Sequence, residues 1–185
     1  AAKMNTKKLV TSAVMLALAS VLSTIKIFQM PLGGSITLLS MLPVVLLSIK
    51  YGTKWGLFSA FAYSLIQFAL DFPSLMGYGY TAFIWAGSIV FDYLIAFTIL
   101  GIAGIWRDKG FKGIMAGIFL ALCSRFLSHV ISGSIFFAVW CPDGWSPIPY
   151  AVCYNGAFML PELIFTLAGA AVLFKLPQTS RLLNE

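Results

Sequence analysis

The stretch AFIWAGSIVFDYLIAFTILGIAGIWRDKGFK, residues 82–112, decides what kind of protein this is. Its first part, from Ala82 to Trp106, is almost entirely apolar and carries one carboxylate, Asp92. At a rise of about 1.5 Å per residue, a helix of this length crosses the roughly 30 Å hydrocarbon core of a bilayer. The basic run RDKGFK follows at once, as is usual where a helix leaves the membrane. The stretch therefore predicts a transmembrane helix.

Five further apolar segments have the same character. Of the 185 residues, 60% are hydrophobic and only 10% are charged, whereas soluble domains carry about 25% charged residues. We therefore expect an all-α integral membrane protein, a single domain over residues 1–185 with six transmembrane helices. The second and third segments are short, which predicts tilt or an irregular second helix. The segments lie at about Leu9–Phe28, Ile36–Ile49, Trp55–Leu70, Ala82–Trp106, Gly113–Val139 and Tyr150–Leu176.

The positive charges predict the orientation of these helices. With six spans, four basic clusters fall on one side of the membrane and only Lys26 is close to the other. By the positive-inside rule, both termini are then cytoplasmic. This clustering at helix ends also disfavours a nucleic-acid-binding surface, despite the net charge of +6. The clusters are Lys3, Lys7 and Lys8; Lys50 and Lys54; Arg107, Lys109 and Lys112; and Lys175 and Arg181.

The connections on the opposite side are more elaborate. They read FQMPLGGS, DFPSLMGYGY and CPDGWSPIPY, and they are rich in Gly, Pro and aromatic residues. Such segments form ordered turns, and elaborate loops tend to carry function. We therefore expect a ligand pocket in the outer half of the protein. Cys141 and Cys153 lie near this surface, and the sequence allows either a disulfide between them or two free thiols.

A few polar residues interrupt the spans, where ionisable groups are costly and usually functional. Counted along the helices, Asp92, His129, Tyr150 and Asn155 reach a common depth from three different helices. Arg125 lies one turn deeper than His129 on the same helix face. A carboxylate, an imidazole and a carboxamide suit a flat nitrogen heterocycle or a delocalised cation. Aromatic residues surround this level, namely Tyr93, Phe136, Phe137, Trp140, Trp145 and Tyr154.

Each of these residues also has a structural interpretation. Asp92 could pair with Arg125, because buried charges are normally paired, and His129 could bond to a neighbouring helix. For Glu162 we favour a helix-packing role, and for Gln67 an interhelical contact. As an alternative function, Asp92, Arg125 and Glu162 form the ion relay of a stand-alone secondary transporter.

Enzymatic functions are disfavoured by what the sequence lacks. It contains no GxxxxGK[ST] phosphate-binding loop, so the chain does not hydrolyse ATP by itself. It contains no HExxH or GxSxG motif, and no nucleophile accompanies His129 and Asp92. We therefore expect neither an enzyme nor a metal or cofactor.

Small residues form a stripe on the first helix. Ala13 and Ala17 are four residues apart and share one face. A small-xxx-small stripe lets another helix approach closely. The sequence leaves two interpretations of this stripe: packing within this protein, and docking to a separate membrane subunit.

Taken together, these motifs resemble the thiamine-binding S-components of energy-coupling factor (ECF) transporters, over nearly the whole chain. The matching elements are the AxxxA of Ala13 and Ala17, MPLGGSITLLSMLPVVLLSIKYG at 30–52, FDYLIAFTILGIAG at 91–104, SRFLSHVISGSIFF at 124–137 and YAVCYN at 150–155. The resemblance implies a six-helix protein of the bacterial plasma membrane that binds thiamine near the outer face. It also implies a complex with one membrane coupling subunit and two ATPase subunits.

The resemblance also implies roles for individual residues. The ligand contacts fall on Asp92, Tyr93, Arg125, His129, Phe137, Trp140, Tyr150 and Asn155, and the coupling-subunit contact falls on Ala13 and Ala17. Some members carry Glu at the position of Asp92, Lys at that of Arg125 and Trp at that of Phe137, for which Trp140 or Trp145 could substitute. These departures leave room for a related ligand, pyridoxine or hydroxymethylpyrimidine.

Overall fold

The computed structural model describes residues 5–184, and most of them are helical. Lys3, one of the basic residues counted above, lies outside this range. Short 3₁₀ turns join several of the main elements. These elements are α1 (Thr6–Thr24), β1 (Lys26–Gln29), β2 (Ser35–Thr37), α2 (Leu42–Tyr51), α3 (Thr53–Leu75), α4 (Ala82–Gly104), α5 (Gly110–Ile135), α6 (Pro147–Lys175) and α7 (Pro177–Asn184).

Local sequence explains where several helices begin and end. Pro43 occupies the first turn of α2, where its missing N–H leaves no intrahelical bond unmade. Gly52, the single residue between α2 and α3, has a φ of 92°, a conformation that L-residues with side chains rarely adopt. The chain therefore reverses direction sharply between α2 and α3. The Thr81 hydroxyl caps α4 by accepting the Ile84 amide at 3.4 Å.

A β-hairpin is the main departure from the expected all-α chain. The apolar run predicted as the end of the first helix and the start of the second instead forms β1 and β2, which pair antiparallel. In the tip, Leu32 and Gly33 have φ values of 64° and 102°. Pro31 and the glycine pair favour this turn over a continued helix. The first helix consequently ends at Thr24, and the second shrinks to the ten residues of α2.

The helix α4 is continuous but irregular. It is α-helical over Ala82–Gly87, a π-helix over Ser88–Ile95, α-helical over Ala96–Thr98 and a 3₁₀-helix over Ile99–Gly104. A π-helix widens the hydrogen-bond ladder to i→i+5 and is frequent at functional sites. The π-helix contains both Asp92 and Tyr93.

The number of membrane crossings follows only in part from these elements. Among the described residues, four helices are long and apolar enough to span a membrane: α1, α4, the helical run Arg107–Ile135 that contains α5, and α6. The 23-residue α3 has the length, but Asp71, Gln67 and Lys54 make it more polar. At about 15 Å, α2 is too short to cross alone. A multi-helix membrane fold is confirmed, while the six-span count and the cytoplasmic termini stay predictions.

Basic residues from separate clusters meet at one end of the bundle, which we call the basic end. The Arg107 guanidinium donates to the carbonyls of Ile49 and Lys50 at 3.4 and 3.1 Å, where α2 ends. The Lys8 ammonium lies over the Trp55 ring, 4.3 Å from its centroid. Three of the four predicted basic clusters, those of Lys8, Lys50 and Arg107, thus meet at this end.

Close packing at the basic end joins α2, α3 and α4. The buried Ser48 hydroxyl donates to the Gly101 carbonyl at 2.5 Å and accepts the Gly104 amide at 2.9 Å. Gly101 also packs on the backbone of Gly56 and Leu57, so an added Cβ there would clash with main-chain atoms. Only small residues allow helices to approach this closely in a membrane protein.

Candidate ligand-binding site

A cavity of about 150 Å³ opens between the helices at the other end of the bundle, which we call the cavity end. Its walls come from the hairpin, from α3 to α6 and from the turn that follows α5. All eight ligand contacts expected from the sequence lie on these walls: Asp92, Tyr93, Arg125, His129, Phe137, Trp140, Tyr150 and Asn155. The structure therefore brings together residues that are up to 63 positions apart, from Asp92 to Asn155.

Both carboxylate oxygens of Asp92 are held by hydrogen bonds. Its Oδ1 lies 2.8 Å from His129 Nδ1, and its Oδ2 accepts the Ser132 hydroxyl at 2.7 Å. The Asp92 side chain is 21% exposed and that of His129 9%, so the carboxylate is the more open member of the pair. The depth count placed Asp92 and His129 at one level, and this contact agrees with it.

Hydrogen bonding defines the tautomer of His129. Arg125 Nε donates to His129 Nε2 at 3.2 Å. Because a guanidinium has no acceptor, Nε2 must accept and the ring proton must sit on Nδ1, where it is donated to Asp92. His129 is therefore a neutral ring held between a cation and an anion, with its orientation set on both sides.

Arg125 does not form the ion pair with Asp92 that the sequence left open. Within residues 5–184, neither Asp92 nor Glu162 lies within 4.0 Å of its guanidinium. The guanidinium instead stacks over the Phe97 ring, 4.2 Å from the centroid. Cation–π contact of this kind stabilises a cation where water is excluded. Arg125 thus lies on the cavity wall and also holds the His129 ring.

Asn155 and Tyr150 bring α6 to the cavity. The Asn155 amide donates to the carbonyls of Ala151 and His129 at 2.8 and 3.3 Å, which ties α6 to α5. Gly133 permits this approach, because an added Cβ would lie 3.0 Å from Ala151. Tyr150 stands between the rings of Trp145 and Tyr154, with centroids 6.0 and 6.1 Å away.

Three aromatic rings close the cavity beyond Asp92. Tyr80, Phe137 and Trp140 contact one another with each pair of centroids 5.4 Å apart. Burial, and to a lesser degree the Asp92 carboxylate, raises the pKa of Tyr80 above its ordinary value, so the phenol stays neutral. Tyr80 was not among the expected contacts, although it ends DFPSLMGYGY, one of the three elaborate connections.

Two other aromatic residues expected near the ligand lie elsewhere. Phe136 packs on Phe83 and Phe91, away from the cavity. Trp145 is exposed and touches Tyr150 from outside the cavity wall. Between Trp140 and Trp145, the structure puts Trp140 on the wall. Cys141 and Cys153 are free thiols.

A second carboxylate on the cavity wall was not expected from the sequence. Asp71 lies on this wall and accepts the Tyr93 hydroxyl at 3.0 Å and the Gln67 amide at 3.4 Å. Lys26 of the hairpin is 3.9 Å away. The expected end of the third helix at Leu70 excluded Asp71, whereas α3 continues past Pro73 to Leu75. The four-residue spacing of Tyr63, Gln67 and Asp71 could have revealed this face.

Glu162 has a different role from the helix packing that we favoured. Its Oε1 accepts the amide and the hydroxyl of Thr37 at 2.5 and 2.7 Å, so it anchors strand β2 to α6. Its Oε2 is buried on the cavity wall and has no hydrogen-bond partner among residues 5–184. Tyr154 reinforces the anchor, since its hydroxyl donates to the Pro31 carbonyl and accepts the Gly34 amide at 3.1 Å. The hairpin thus covers one side of the cavity.

Comparison with known proteins gives consistent matches. Residues 9–182 match the family described as thiamine transporter protein. The thiamine transporter ThiT of Bacillus subtilis is 28% identical in an alignment of 181 positions that covers 90% of each chain. ThiT of Lacticaseibacillus paracasei is 21% identical in an alignment of 145 positions that covers 72% of this chain and 70% of that protein. The solved structure of ThiT from Listeria monocytogenes superposes with a TM-score of 0.71 at 20% identity, over 91% of this chain and 93% of that one.

Proposed function

The chain belongs to the thiamine transporter protein family, and we propose that it is the thiamine-binding membrane subunit of an ATP-driven, ECF-type vitamin importer. The family is one of multi-pass cell-membrane transport proteins rather than enzymes. In this proposal the subunit captures thiamine at the outer face and delivers it through a membrane coupling subunit. The observation that carries the proposal is the anchored Asp92 carboxylate in a cavity walled by aromatic rings.

The chemistry of thiamine suits this cavity. The vitamin joins an aminopyrimidine to a cationic thiazolium ring that bears a hydroxyethyl arm. Asp92 can accept a hydrogen bond from the aminopyrimidine or offset the thiazolium charge, and Tyr150 and Asn155 offer further hydrogen bonds. Phe137 and Trp140 offer ring faces, on which a delocalised cation is stabilised.

Arg125 and His129 serve mainly to prepare Asp92 in this proposal. His129 holds one carboxylate oxygen through its Nδ1 proton, and Arg125 fixes the tautomer that makes this possible. The ligand then meets a carboxylate whose orientation is already set. Such preorganisation raises affinity because less conformational freedom is lost on binding.

Calorimetric titration of the purified chain with thiamine tests the ligand. Binding with a dissociation constant below about 1 μM, or −8.2 kcal/mol, is expected for a dedicated capture subunit. Pyridoxine and hydroxymethylpyrimidine are titrated in parallel. Tighter binding of either, or no binding of thiamine, would contradict the assignment of the vitamin.

Proteoliposomes separate a capture subunit from a stand-alone secondary transporter. The chain has no phosphate-binding loop, so uptake in our proposal requires the coupling subunit and two ATPases. Vesicles that contain this chain alone should bind thiamine without accumulating it. Accumulation driven by a proton or sodium gradient would overturn the capture-subunit assignment and favour the secondary transporter.

We further propose six spans with both termini in the cytoplasm. The support is the grouping of Lys8, Lys50 and Arg107 at the basic end, away from the cavity. Thiol labelling in intact cells tests this arrangement in a background of Cys123→Ser and Cys153→Ala. A membrane-impermeant maleimide should reach Cys141 from outside, whereas the thiol of Asp108→Cys should react only after permeabilisation. The reverse pattern would invert the orientation.

A further inference from the structure

The wall that α3 contributes to the cavity presents an open hydrogen-bond acceptor. Gln67 is only 7% exposed, and its carbonyl oxygen Oε1 has no hydrogen-bond partner in the described protein. Its amide nitrogen donates to Asp71 at 3.4 Å, so the carbonyl end of the side chain points away from Asp71. Buried polar atoms are almost always paired, so this oxygen calls for a donor that enters the cavity.

Asp71 and Tyr93 make the same region rich in acceptors. The Tyr93 hydroxyl uses its only proton on Asp71 Oδ2, so its oxygen offers lone pairs alone to a ligand. An ionised Asp71 carboxylate accepts and cannot donate. A group that binds beside Gln67, Asp71 and Tyr93 should therefore bring a proton to donate.

The position of this region relative to Asp92 fits a ligand of two rings and an arm. Asp92 and Tyr93 are consecutive residues, so their Cα atoms are about 3.8 Å apart. Asp92 reaches His129 on α5, whereas Tyr93 reaches Asp71 on α3. One ligand that contacts α4 can thus engage the Asp92 side with its ring and the Asp71 side with its arm.

We propose that Gln67 and Asp71 form a subsite for an alcohol group. This subsite binds the free hydroxyl of the ligand's hydroxyethyl arm and disfavours the same arm when it carries a phosphate. This inference rests on the proposed function and assigns a role within the same cavity. An alcohol donates its proton to an acceptor such as Gln67 Oε1. A phosphate ester at neutral pH carries about −1.5 to −2 charges and offers mainly acceptors.

The charges around the subsite favour the free alcohol. Asp71 repels a phosphate, and Glu162 adds a further carboxylate to the cavity wall. Lys26 is the cation beside Asp71, but it pairs with Asp71 at 3.9 Å from the hairpin and is not on the cavity wall. Arg125 is committed to His129 and the Phe97 ring.

Calorimetry with three ligands and the full chain tests the subsite. The ligands are thiamine, its analogue with ethyl in place of hydroxyethyl, and thiamine monophosphate. The wild-type chain should bind thiamine at least about fivefold more tightly than either of the others, as expected for one hydrogen bond gained or one charge repelled. Equal binding of thiamine and the ethyl analogue by the wild type would overturn the subsite without any variant.

Two variants assign the effect to residues. Gln67→Met keeps the length of the side chain but removes the acceptor. It should weaken thiamine binding about fivefold and binding of the ethyl analogue less than about twofold. Asp71→Asn should lower the ratio of thiamine to monophosphate affinity about fivefold. The thiazolium charge is common to both ligands and cancels in that ratio. Asp108→Asn, at a side chain that is 93% exposed, is the matched control and should change nothing.

The outcomes separate this inference from the proposed function. If Gln67→Met loses affinity equally for thiamine and the ethyl analogue, or if Asp71→Asn leaves the ratio of thiamine to monophosphate affinity unchanged, the subsite is overturned while thiamine capture stands. A wild-type chain that binds none of the three ligands overturns the proposed function and the subsite together. The selective losses described above support the subsite.

Discussion

At the basic end of the bundle α3 and α4 touch through their backbones, whereas at the cavity end the same helices stand apart around polar side chains. The contrast follows the residues that each helix carries. Near the basic end these are Gly56 on α3 and Gly101 on α4, with Ser48 of α2 bonded to the backbone of α4. Near the cavity end they are Asp71 and Asp92.

The difference teaches how a small bundle holds a cavity without a second domain. Small residues let the helices converge at one end, and larger or polar residues hold them apart at the other. The polar groups are tolerated inside the membrane because they are bonded to one another, as in the chain from Arg125 through His129 to Asp92. Stability and ligand binding are thus assigned to opposite ends, and substitutions can separate them.

The largest effect is expected at the basic end. In Gly101→Ala the new Cβ would meet the backbone of Leu57, so the helices must move apart and the free energy of unfolding should fall by about 2 kcal/mol. Chemical unfolding of the detergent-solubilised protein measures this. The control is Gly77→Ala, where an added Cβ has no neighbour within 4 Å and the change should stay within about 0.5 kcal/mol. Equal effects of the two substitutions would remove the contrast between the ends.

At the cavity end, Asp92→Asn should affect binding and spare folding. The amide can keep the contacts with His129 and Ser132, but the negative charge is lost. Thiamine affinity should fall at least about tenfold, or 1.4 kcal/mol, with the unfolding midpoint unchanged. The control is Asp143→Asn, at an exposed residue of the connection between α5 and α6. A variant that unfolds more easily and binds as before would assign Asp92 to stability instead.

A smaller and more local effect is expected for Glu162→Gln. The neutral side chain can still accept the Thr37 amide, but it loses the strength that the charge gives this bond. Amide hydrogen exchange at Thr37 should accelerate about fivefold, equivalent to about 1 kcal/mol. Exchange in α2, which Glu162 does not contact through a hydrogen bond, serves as the internal control. Unchanged exchange at Thr37 would mean that Glu162 does not anchor the hairpin.

The smallest effect on the isolated chain is expected for Ala17→Phe. Ala13 and Ala17 are exposed, whereas Ser12, Ala19 and Ser23 supply the buried face of α1. Because the stripe is exposed within the chain, stability should change by less than about 0.5 kcal/mol.

Co-purification with the coupling subunit measures docking directly. It should be lost in Ala17→Phe and retained in Ala116→Phe, which adds the same ring to an exposed position of α5. Retention in both variants would exclude the stripe from the docking surface.

The sequence predicts the parts of this molecule that depend on distance along a helix. The expected bounds of α5 and α6 lie within a few residues of the observed ones, and the depth count brought Asp92 level with His129. Both successes follow from the constant rise of a helix. The AxxxA stripe of α1 likewise needed only the helical period, although its exposure required the structure.

The sequence does not predict the parts that depend on tertiary packing. Pro31 and the glycine pair mark a connection in the sequence, but the pairing of its flanks as strands, held by bonds from Glu162 and Tyr154, depends on residues more than 100 positions away. Asp71 lies just beyond the apolar run that defines the third span, whereas α3 continues through Pro73. The π-helix of α4 has no signal in the sequence that distinguishes it from an ordinary apolar helix.

That π-helix governs how this chain can change by insertion and deletion. Because the wider i→i+5 ladder accommodates an additional residue, removing one residue from Ser88–Ile95 lets the segment return to an ordinary α-helix with little rotation of the helix that follows. Gly101 and Gly104 would then keep their contacts with Gly56 and Ser48, whereas Asp92 and Tyr93 would leave their present positions on the cavity wall. A single-codon deletion here therefore alters the cavity end of the bundle and spares the basic end.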